Sequence, residues 1–302
     1  MSESHGFAVN RAEPLAPGVT RLWIDAPRVA RYWKPGQFVI VRAADGGERI
    51  PLTIAQGDTA AGRIGLIVQN VGASTALLTE LKAGDRVADV VGPLGRPTEI
   101  ARFGTVVVIG GGVGTAIAYP SAAALAAAGN RVVAIIGGRS RPFVILEDEL
   151  AEACQQVVAV TDDGSHGRRG LVTDALASVL ESEPVDRVLA IGPIPMMKAV
   201  AELTQNRGVD TVVSLNPIMI DGTGMCGGCR VLVGDETRFA CVDGPEFDGH
   251  LVDFDMLALR NRAYEDFERR KWERCRLLSV APVGPGSAGG PPGEGPPGEG
   301  PP

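Results

Sequence analysis

The sequence predicts two folded parts of different class, an antiparallel β-barrel over residues 1–100 and a doubly wound, parallel-sheet α/β domain over residues 101–216. The first hundred residues run in short apolar pieces punctuated by glycine, proline and Asp-Gly, the signature of closely spaced antiparallel strands. From residue 105 onward, buried runs such as TVVVIGGGVG, RVVAIIGGRS and QVVAVTDDG alternate with helical segments. That alternation belongs to a parallel sheet covered by helices on both faces. A glycine-rich loop holding three cysteines then predicts a small subdomain over 217–255, followed by a C-terminal helix over 256–278.

Taken in order, the barrel strands are VTRLWIDA, GQFVIVRA, RIPLTIAQ, RIGLIVQNV and DRVADVVGP. The segment STALLTELKAG has helical spacing and falls between the fourth and fifth. In the second part, TAIAYPSAAALAAAG reads as a helix ended by Gly129, with Pro120 predicting that it is irregular or begins only near that residue. EDELAEAC and VTDALASVLES are helices, and DRVLAIGPIPMMKAVAELTQNRG is strand, turn and helix. VDFDMLALRNRAYEDFERRKWERCRLL reads as a charged helix of five or six turns with apolar residues on one side. Residues 279–302 are Pro/Gly-rich, cannot bury a core, and are expected to be disordered or extended.

A chain of 302 residues with 45% hydrophobic and 22% charged content is ordinary for globular domains. Its net charge of −7 argues against nucleic acid as a partner, since that would require a basic face. The most apolar stretches, VVVIGGG and SAAALAAAG, are too short to cross a bilayer, so no membrane partner is expected. MSESHGFAV lacks the basic and apolar regions of a secretory signal. An odd count of five cysteines, three of them in one loop, is no disulfide framework and suits a reducing, cytoplasmic location.

The cysteine loop, DGTGMCGGCRVLVGDETRFAC, spaces Asp221, Cys226, Cys229 and Cys241 as D-x4-C-x2-C-x11-C. This is the plant-type [2Fe–2S] spacing with a carboxylate in first place. Gly222, Gly224, Gly227 and Gly228 let the backbone curl tightly enough to aim several side chains inward and turn N–H groups toward sulfur. A structural zinc is the competing reading, although such sites usually take Cys or His for all four ligands.

Gly110, Gly111, Gly112, Val113 and Gly114 follow a predicted strand and open a helix, the context in which backbone N–H groups hold a pyrophosphate. A tight strand-to-helix connection is the plain alternative. Arg139 follows the second strand, where an arginine can accommodate the 2′-phosphate of NADP and an acid would favour NAD. Glu147 is the nearest carboxylate with reach to a ribose. In the barrel, the Thr53 hydroxyl can bond a flavin nitrogen, and Gly72, Ser74 and Thr75 at a helix start can hold a pyrophosphate.

The run SLNPIMIDGTGMCGGCRVLV, with RFACVDGPEFDGHLVDFDML, RIPLTIA, GGGVG, TDDGSHGRRGLVTD and AIGPIPMMKAV, resembles the small subunit of NADH-dependent reduced ferredoxin:NADP oxidoreductase. That sulfide-dehydrogenase-like family is related to the electron-transfer subunit of dihydroorotate dehydrogenase and, more distantly, to ferredoxin–NADP reductases. The resemblance spans roughly residues 7–278. It implies an FAD-binding barrel with Pro51, Leu52 and Thr53 at the flavin, Ile67, Val68 and Gln69 on the next strand, and Ser74 and Thr75 at the pyrophosphate. The superfamily's phosphate-contacting arginine slot holds Ile50 here, and Arg49 lies one place off. Gly110 to Gly114 with Gly192, Pro193 and Met196 would line an NAD(H) site, NADP(H) remaining open. The resemblance further implies a [2Fe–2S] cluster on Asp221, Cys226, Cys229 and Cys241, with the aspartate favouring this family over the dihydroorotate one, whose first ligand is cysteine.

The expected function is therefore an electron-transfer flavoprotein subunit passing electrons between NAD(H), FAD and the cluster, beside a larger flavin and iron–sulfur partner subunit. No acid–base residue is required for hydride transfer, which rests on positioning. The alternatives are a dihydroorotate dehydrogenase electron-transfer subunit, a stand-alone NAD(P)H oxidoreductase, and a redox-sensing docking module without turnover.

Overall fold

The structure, a computed structural model, describes residues 6–264, 266–270 and 273. The expected tail over 279–302 lies outside the described residues.

The first part is a seven-stranded antiparallel sheet made of β1 (Phe7–Ala16), β2 (Val19–Asp25), β3 (Phe38–Arg42), β4 (Arg49–Asp58), β5 (Arg63–Gln69), β6 (Arg86–Val87) and β7 (Asp89–Leu94). The strand order is β6-β1-β2-β5-β4-β3-β7. The two outermost strands are separated in sequence by Ala88 alone, so the sheet curls until its edges approach. Side chains alternate across β3: Val39 and Val41 join the barrel core of Leu22, Ile24, Ile54, Ile64, Leu66 and Val68, whereas Phe38 and Ile40 point to the other face. DRVADVVGP forms two short strands where one was expected. β1 was not among the strands expected, because FAVNRAEPLA mixes polar residues with a proline and its pairing to β2 carries two register shifts. Two short helices flank the sheet, α1 (Pro27–Tyr32), which Pro27 opens, and α2 (Ala73–Thr79).

The second part contains β8 (Thr105–Gly111), α3 (Gly114–Ala127), β9 (Arg131–Gly138), α4 (Glu147–Ala153), β10 (Gln156–Thr161), β11 (Arg168–Arg169), α5 (Val172–Ser182), β12 (Arg187–Ile191), α6 (Ile194–Gln205) and β13 (Asp210–Ser214). The expected parallel sheet forms in the order β11-β10-β9-β8-β12-β13, with β8 in the middle. Its strands are buried on both sides. Val107, Ile109, Val133 and Ile135 pack with Leu176 of α5 and Val200 of α6, while Val106, Val108, Val132 and Ala134 pack with Ala122 of α3 and Leu150 of α4. α3 begins at Gly114 and runs through Pro120, so the expected late start is corrected. Gly114, Thr115, Ala116 and Ala118 are buried, and that packing holds the first turns against the cost of the missing N–H.

The cysteine-rich segment is less separate than the sequence suggests. β14 (Arg230–Val233) and β15 (Glu236–Phe239) form a hairpin, but β16 (Glu246–Asp248) pairs antiparallel to β13 and becomes the seventh strand of the parallel domain's sheet. Phe38 and Ile40 of the barrel, Val107 and Val213 of the sheet, and Cys229 and Cys241 of the loop share one core. α7 (Phe254–Asn261) is capped by Asp253, whose Oδ1 accepts the Met256 N–H at 2.8 Å, and a 3-10 turn follows at 262–264. The long helix expected over 256–278 is thus interrupted among the described residues. In α7, Phe254 and Leu257 are buried and Arg260 and Asn261 donate to the Gly228 and Asn216 carbonyls, while Leu259 and, beyond α7, Tyr264 are 65% and 54% exposed. Residues 265, 271–272 and 274–278 of that expectation lie outside the described residues. No described helix is long and apolar enough to cross a membrane.

Candidate functional site

The candidate metal loop sits directly on the barrel. A Cβ added at Gly222, whose φ is +75°, would come within 2.6 Å of Leu94 and 3.0 Å of Ile40, so the backbone beside Asp221 lies flat on β3 and β7 as only glycine permits. Arg49 Nε of β4 donates to the Ile220 carbonyl at 3.0 Å. The loop after β13 is in this way clamped to the strand carrying Pro51 and Thr53.

Within the loop, Asp221 accepts the Thr223 N–H at 2.9 Å and the Cys226 N–H at 2.8 Å. These bonds, the Thr223 one foremost, hold its carboxyl below the usual carboxylate range. Cys229 and Cys241 are buried with their sulfurs 3.1 Å apart, and burial first, then the Cys229 thiol, push Cys241 up to about 12. Cys226 is exposed, and its sulfur accepts the Gly228 N–H at 3.5 Å. Among the described residues no three His, Cys, Asp or Glu side chains are already gathered as a set of metal ligands. The donor chemistry nevertheless fits an iron–sulfur group: two thiols and a carboxylate on one curled loop, a third thiol brought beside Cys229 by the β14–β15 hairpin, and amide N–H groups turned toward sulfur. Asp221, Cys226 and Cys229 lie on one loop, Cys241 follows the β14–β15 hairpin that returns beside Cys229, and Asp221 shapes the loop through its own hydrogen bonds.

On β4, Ile50 and Leu52 pack toward the barrel core, which leaves Arg49, Pro51 and Thr53 on the opposite face beside Phe38 and Ile40. Leu52 therefore turns away from that face. On β5, Val68 is wholly buried in the barrel, Ile67 packs with Val19, Ala116 and Ile145 between the two domains, and Gln69 is half-buried. Thr75 Oγ1 accepts the N–H groups of Val71 and Gly72 at 3.0 and 2.9 Å and donates to the Gly72 carbonyl, so it shapes the turn into α2. Ser74 Oγ donates to Glu48 Oε2 at 3.0 Å.

The expected nucleotide residues converge at the carboxyl end of β8, where strand order reverses. A Cβ at Gly111 would lie 2.5 Å from Met196 Sδ and 3.2 Å from Pro193, one at Gly114 would lie 2.3 Å from the Ile191 carbonyl, and one at Gly192 would lie 3.3 Å from Gly111. Gly110, too, is closed in by Thr115, 2.5 Å from such a Cβ. Gly112 N–H bonds the Gly137 carbonyl at 2.8 Å, and Val113 leads into the helix. Arg139 lies over the Phe143 ring, 5.4 Å from its centroid.

One group was not legible in the sequence. Glu246 accepts the Thr98 hydroxyl at 2.6 Å, and Thr98 bonds Ser121 of α3 at 2.7 Å, so barrel linker, α/β domain and β16 meet at one carboxyl. Burial raises Glu246 to about 7 against the opposing pull of Thr98 and Arg187. In GPEFDG it reads as a surface-turn residue, and only the fold reveals its partners.

The model of the iron–sulfur cluster binding domain of dihydroorotate dehydrogenase B matches residues 216–253. A dihydroorotate dehydrogenase B (NAD(+)) electron transfer subunit homolog of Thermotoga maritima is 46% identical, over 86% of this chain and 92% of that protein. The electron transfer subunit of Bacillus caldolyticus is 40% identical, over 77% of this chain and 92% of its own length. Among solved structures, a chain of NADH-dependent reduced ferredoxin-NADP oxidoreductase superposes with a TM-score of 0.86 at 42% identity, over 91% of this chain and all of that one.

Proposed function

The chain belongs to the family of dihydroorotate dehydrogenase B electron transfer subunits, and from that membership we propose an electron-transfer flavoprotein subunit working with NAD(H), FAD and a [2Fe–2S] cluster beside a larger partner subunit. Bound FAD supplies the exchange between two-electron and one-electron chemistry, and the cluster supplies a one-electron store. Arg49, Pro51 and Thr53 would hold the flavin on the outer face of β4, with Gln69, Gly72 and Ser74 on the phosphate side. Asp221, Cys226, Cys229 and Cys241 would hold the cluster. Gly110 to Gly114, with Gly192, Pro193 and Met196, would position the nicotinamide nucleotide at the carboxyl end of β8, and positioning carries the hydride step. The carboxylate at 221 supports the ferredoxin:NADP type over the dihydroorotate type. A cytoplasmic setting is in keeping with the four free cysteines of the described residues.

The observation that carries this reading is the contact of the cluster loop with the flavin-side strands: Gly222 rests on Ile40 and Leu94, and Arg49 holds Ile220. Electron transfer requires such proximity. Anaerobic purification followed by flavin extraction and iron and sulfide analysis is the test. One FAD and two irons with two acid-labile sulfides per chain are expected. Stoichiometric zinc without sulfide would refute the cluster.

A further inference from the structure

In a doubly wound domain the end of the second strand is where an acidic residue takes the adenosine ribose or an arginine takes a 2′-phosphate. Here the second strand, β9, ends in Gly138 and is followed by Arg139, with no acid in the slot. The turn after the third strand, β10, closes over that same place: Asp162 N–H bonds the Gly138 carbonyl at 3.1 Å and Asp163 N–H bonds the Arg139 carbonyl at 3.3 Å. Two acidic residues of that turn are thereby tied by their backbone to Gly138 and Arg139.

The side chains around this point divide into committed and free ones. Glu147 is bonded to His166 Nε2 at 2.7 Å, and His166 Nδ1 lies 3.4 Å from Arg141 Nη1. Asp163 accepts both the Ser165 hydroxyl at 2.6 Å and the Ser165 N–H at 2.9 Å, which hold it below the usual carboxylate range. Arg139 rests on Phe143. Asp162 and Asp163 are both exposed, and of these three carboxylates Asp162 alone has no side-chain partner among the described residues.

We propose that Asp162 determines nucleotide specificity, accepting a hydrogen bond from the adenosine 2′-hydroxyl of NAD(H) and repelling the 2′-phosphate of NADP(H). The inference rests on the nucleotide site proposed above. Asp162 sets an unpaired carboxylate beside Glu147 and Asp163, so a dianionic phosphate placed against it meets local repulsion despite Arg169, which packs on Gly164 of the same turn, and despite the pair Arg139 and Arg141. The two arginines support the loop by stacking and by flanking His166. Arg139 by itself tilts toward NADP, with a solvated arginine as the plain alternative, and the turn from β10 supports the NAD(H) reading that the family resemblance implies.

The test is calorimetric binding of NAD+ and of NADP+ to the FAD- and cluster-loaded protein, native and with Asp162→Asn, Asp163→Asn and Asp162→Asn/Arg139→Ala. Native protein should bind NAD+ more tightly. Asp162→Asn should shift the NADP+ to NAD+ affinity ratio by about tenfold or more toward NADP+, and adding Arg139→Ala should take much of that gain away. Asp163→Asn should shift the ratio less, since Ser165 engages that carboxylate. Unchanged selectivity in Asp162→Asn with NAD+ binding intact, a larger shift in Asp163→Asn, or native preference for NADP+ would each overturn the assignment and leave the nucleotide site standing. Native protein that binds neither nucleotide would overturn both.

Discussion

Arg49 Nε and the Ile220 carbonyl are joined at 3.0 Å across 171 positions of sequence, tying the strand that carries Thr53 to the loop that carries Asp221. The arginine one place off the superfamily's slot has this structural partner within the chain. Arg49→Ala should therefore affect both cofactors: weaker FAD retention and faster cluster loss, with the lost bond contributing about 1 kcal/mol, or several-fold in each. Flavin titration of apoprotein and the decay of cluster absorbance in air measure these. An effect on flavin with no change at the cluster would show that the clamp does not hold the loop.

The glycine turn at the head of α3 offers a graded test. At Gly114 a new Cβ would meet the Ile191 carbonyl, which is backbone and cannot step aside, whereas at Gly111 it would meet the flexible end of Met196. Gly114→Ala should lose about 2 kcal/mol or more of stability and most nicotinamide binding, while Gly111→Ala should lose less than about 1 kcal/mol and mainly raise the KM for NADH. Thermal melts with steady-state reduction of an artificial acceptor would separate them, and equal effects would contradict the packing.

Glu246 predicts a pH dependence of stability. Its carboxyl, raised from an ordinary 4.5 to about 7, binds a proton in the folded state over the interval where the unfolded chain has released it. The stabilisation is thus fully present below about 4.5 and is lost as pH rises through about 7, amounting to no more than about 3 kcal/mol. Glu246→Gln should flatten that part of the stability curve and leave the variant more stable than native protein at pH ~8. Denaturant unfolding between pH ~5 and ~8 decides the matter. Identical curves for the two proteins would show that the joint does not take up the proton.

How much of this was visible in the sequence depends on the range of the interaction. β8, β9 and β12 were legible because a strand buried on both faces is a continuous apolar run, and Val107 and Val108 serve opposite faces equally. The D-x4-C-x2-C-x11-C spacing from Asp221 to Cys241 was legible because it is local in sequence. β1 was not, since its pairing with β2 is irregular, nor was the 3-10 turn at 262–264 that interrupts the expected C-terminal helix, because charge periodicity does not reveal that apolar docking ends at Leu257. Glu246 and Thr98 are 148 positions apart, and no local pattern marks their meeting. The role proposed for Asp162 likewise needed the turn after β10 to be seen against Gly138 and Arg139.

Asp221 separates a ligand from a turn former, since its oxygens accept the Thr223 and Cys226 N–H groups. Asp221→Cys should preserve a cluster with altered absorption and EPR g-values, and Asp221→Ala should give a labile or lost one, because thiolate and carboxylate donate differently to iron. Asp221→Asn, which can keep the Asx-turn bond from Thr223 but sets its NH2 against the Cys226 N–H, should also yield an impaired cluster. Unaltered spectra in all three would remove Asp221 from the ligand set and leave it the Asx-turn residue that its hydrogen bonds describe.

The measurement that bears most directly on the whole account is anaerobic mixing of the purified, cofactor-loaded protein with NADH, following flavin absorbance and freeze-quenched EPR on the same sample. Passage of electrons from nucleotide through flavin to the Asp221, Cys226, Cys229 and Cys241 loop requires that the flavin band bleach and a reduced [2Fe–2S] signal appear with it, and that the signal be absent in Cys229→Ala while bleaching persists. A flavin that NADH does not reduce, or one that it reduces fully while the native cluster signal never appears, would contradict it.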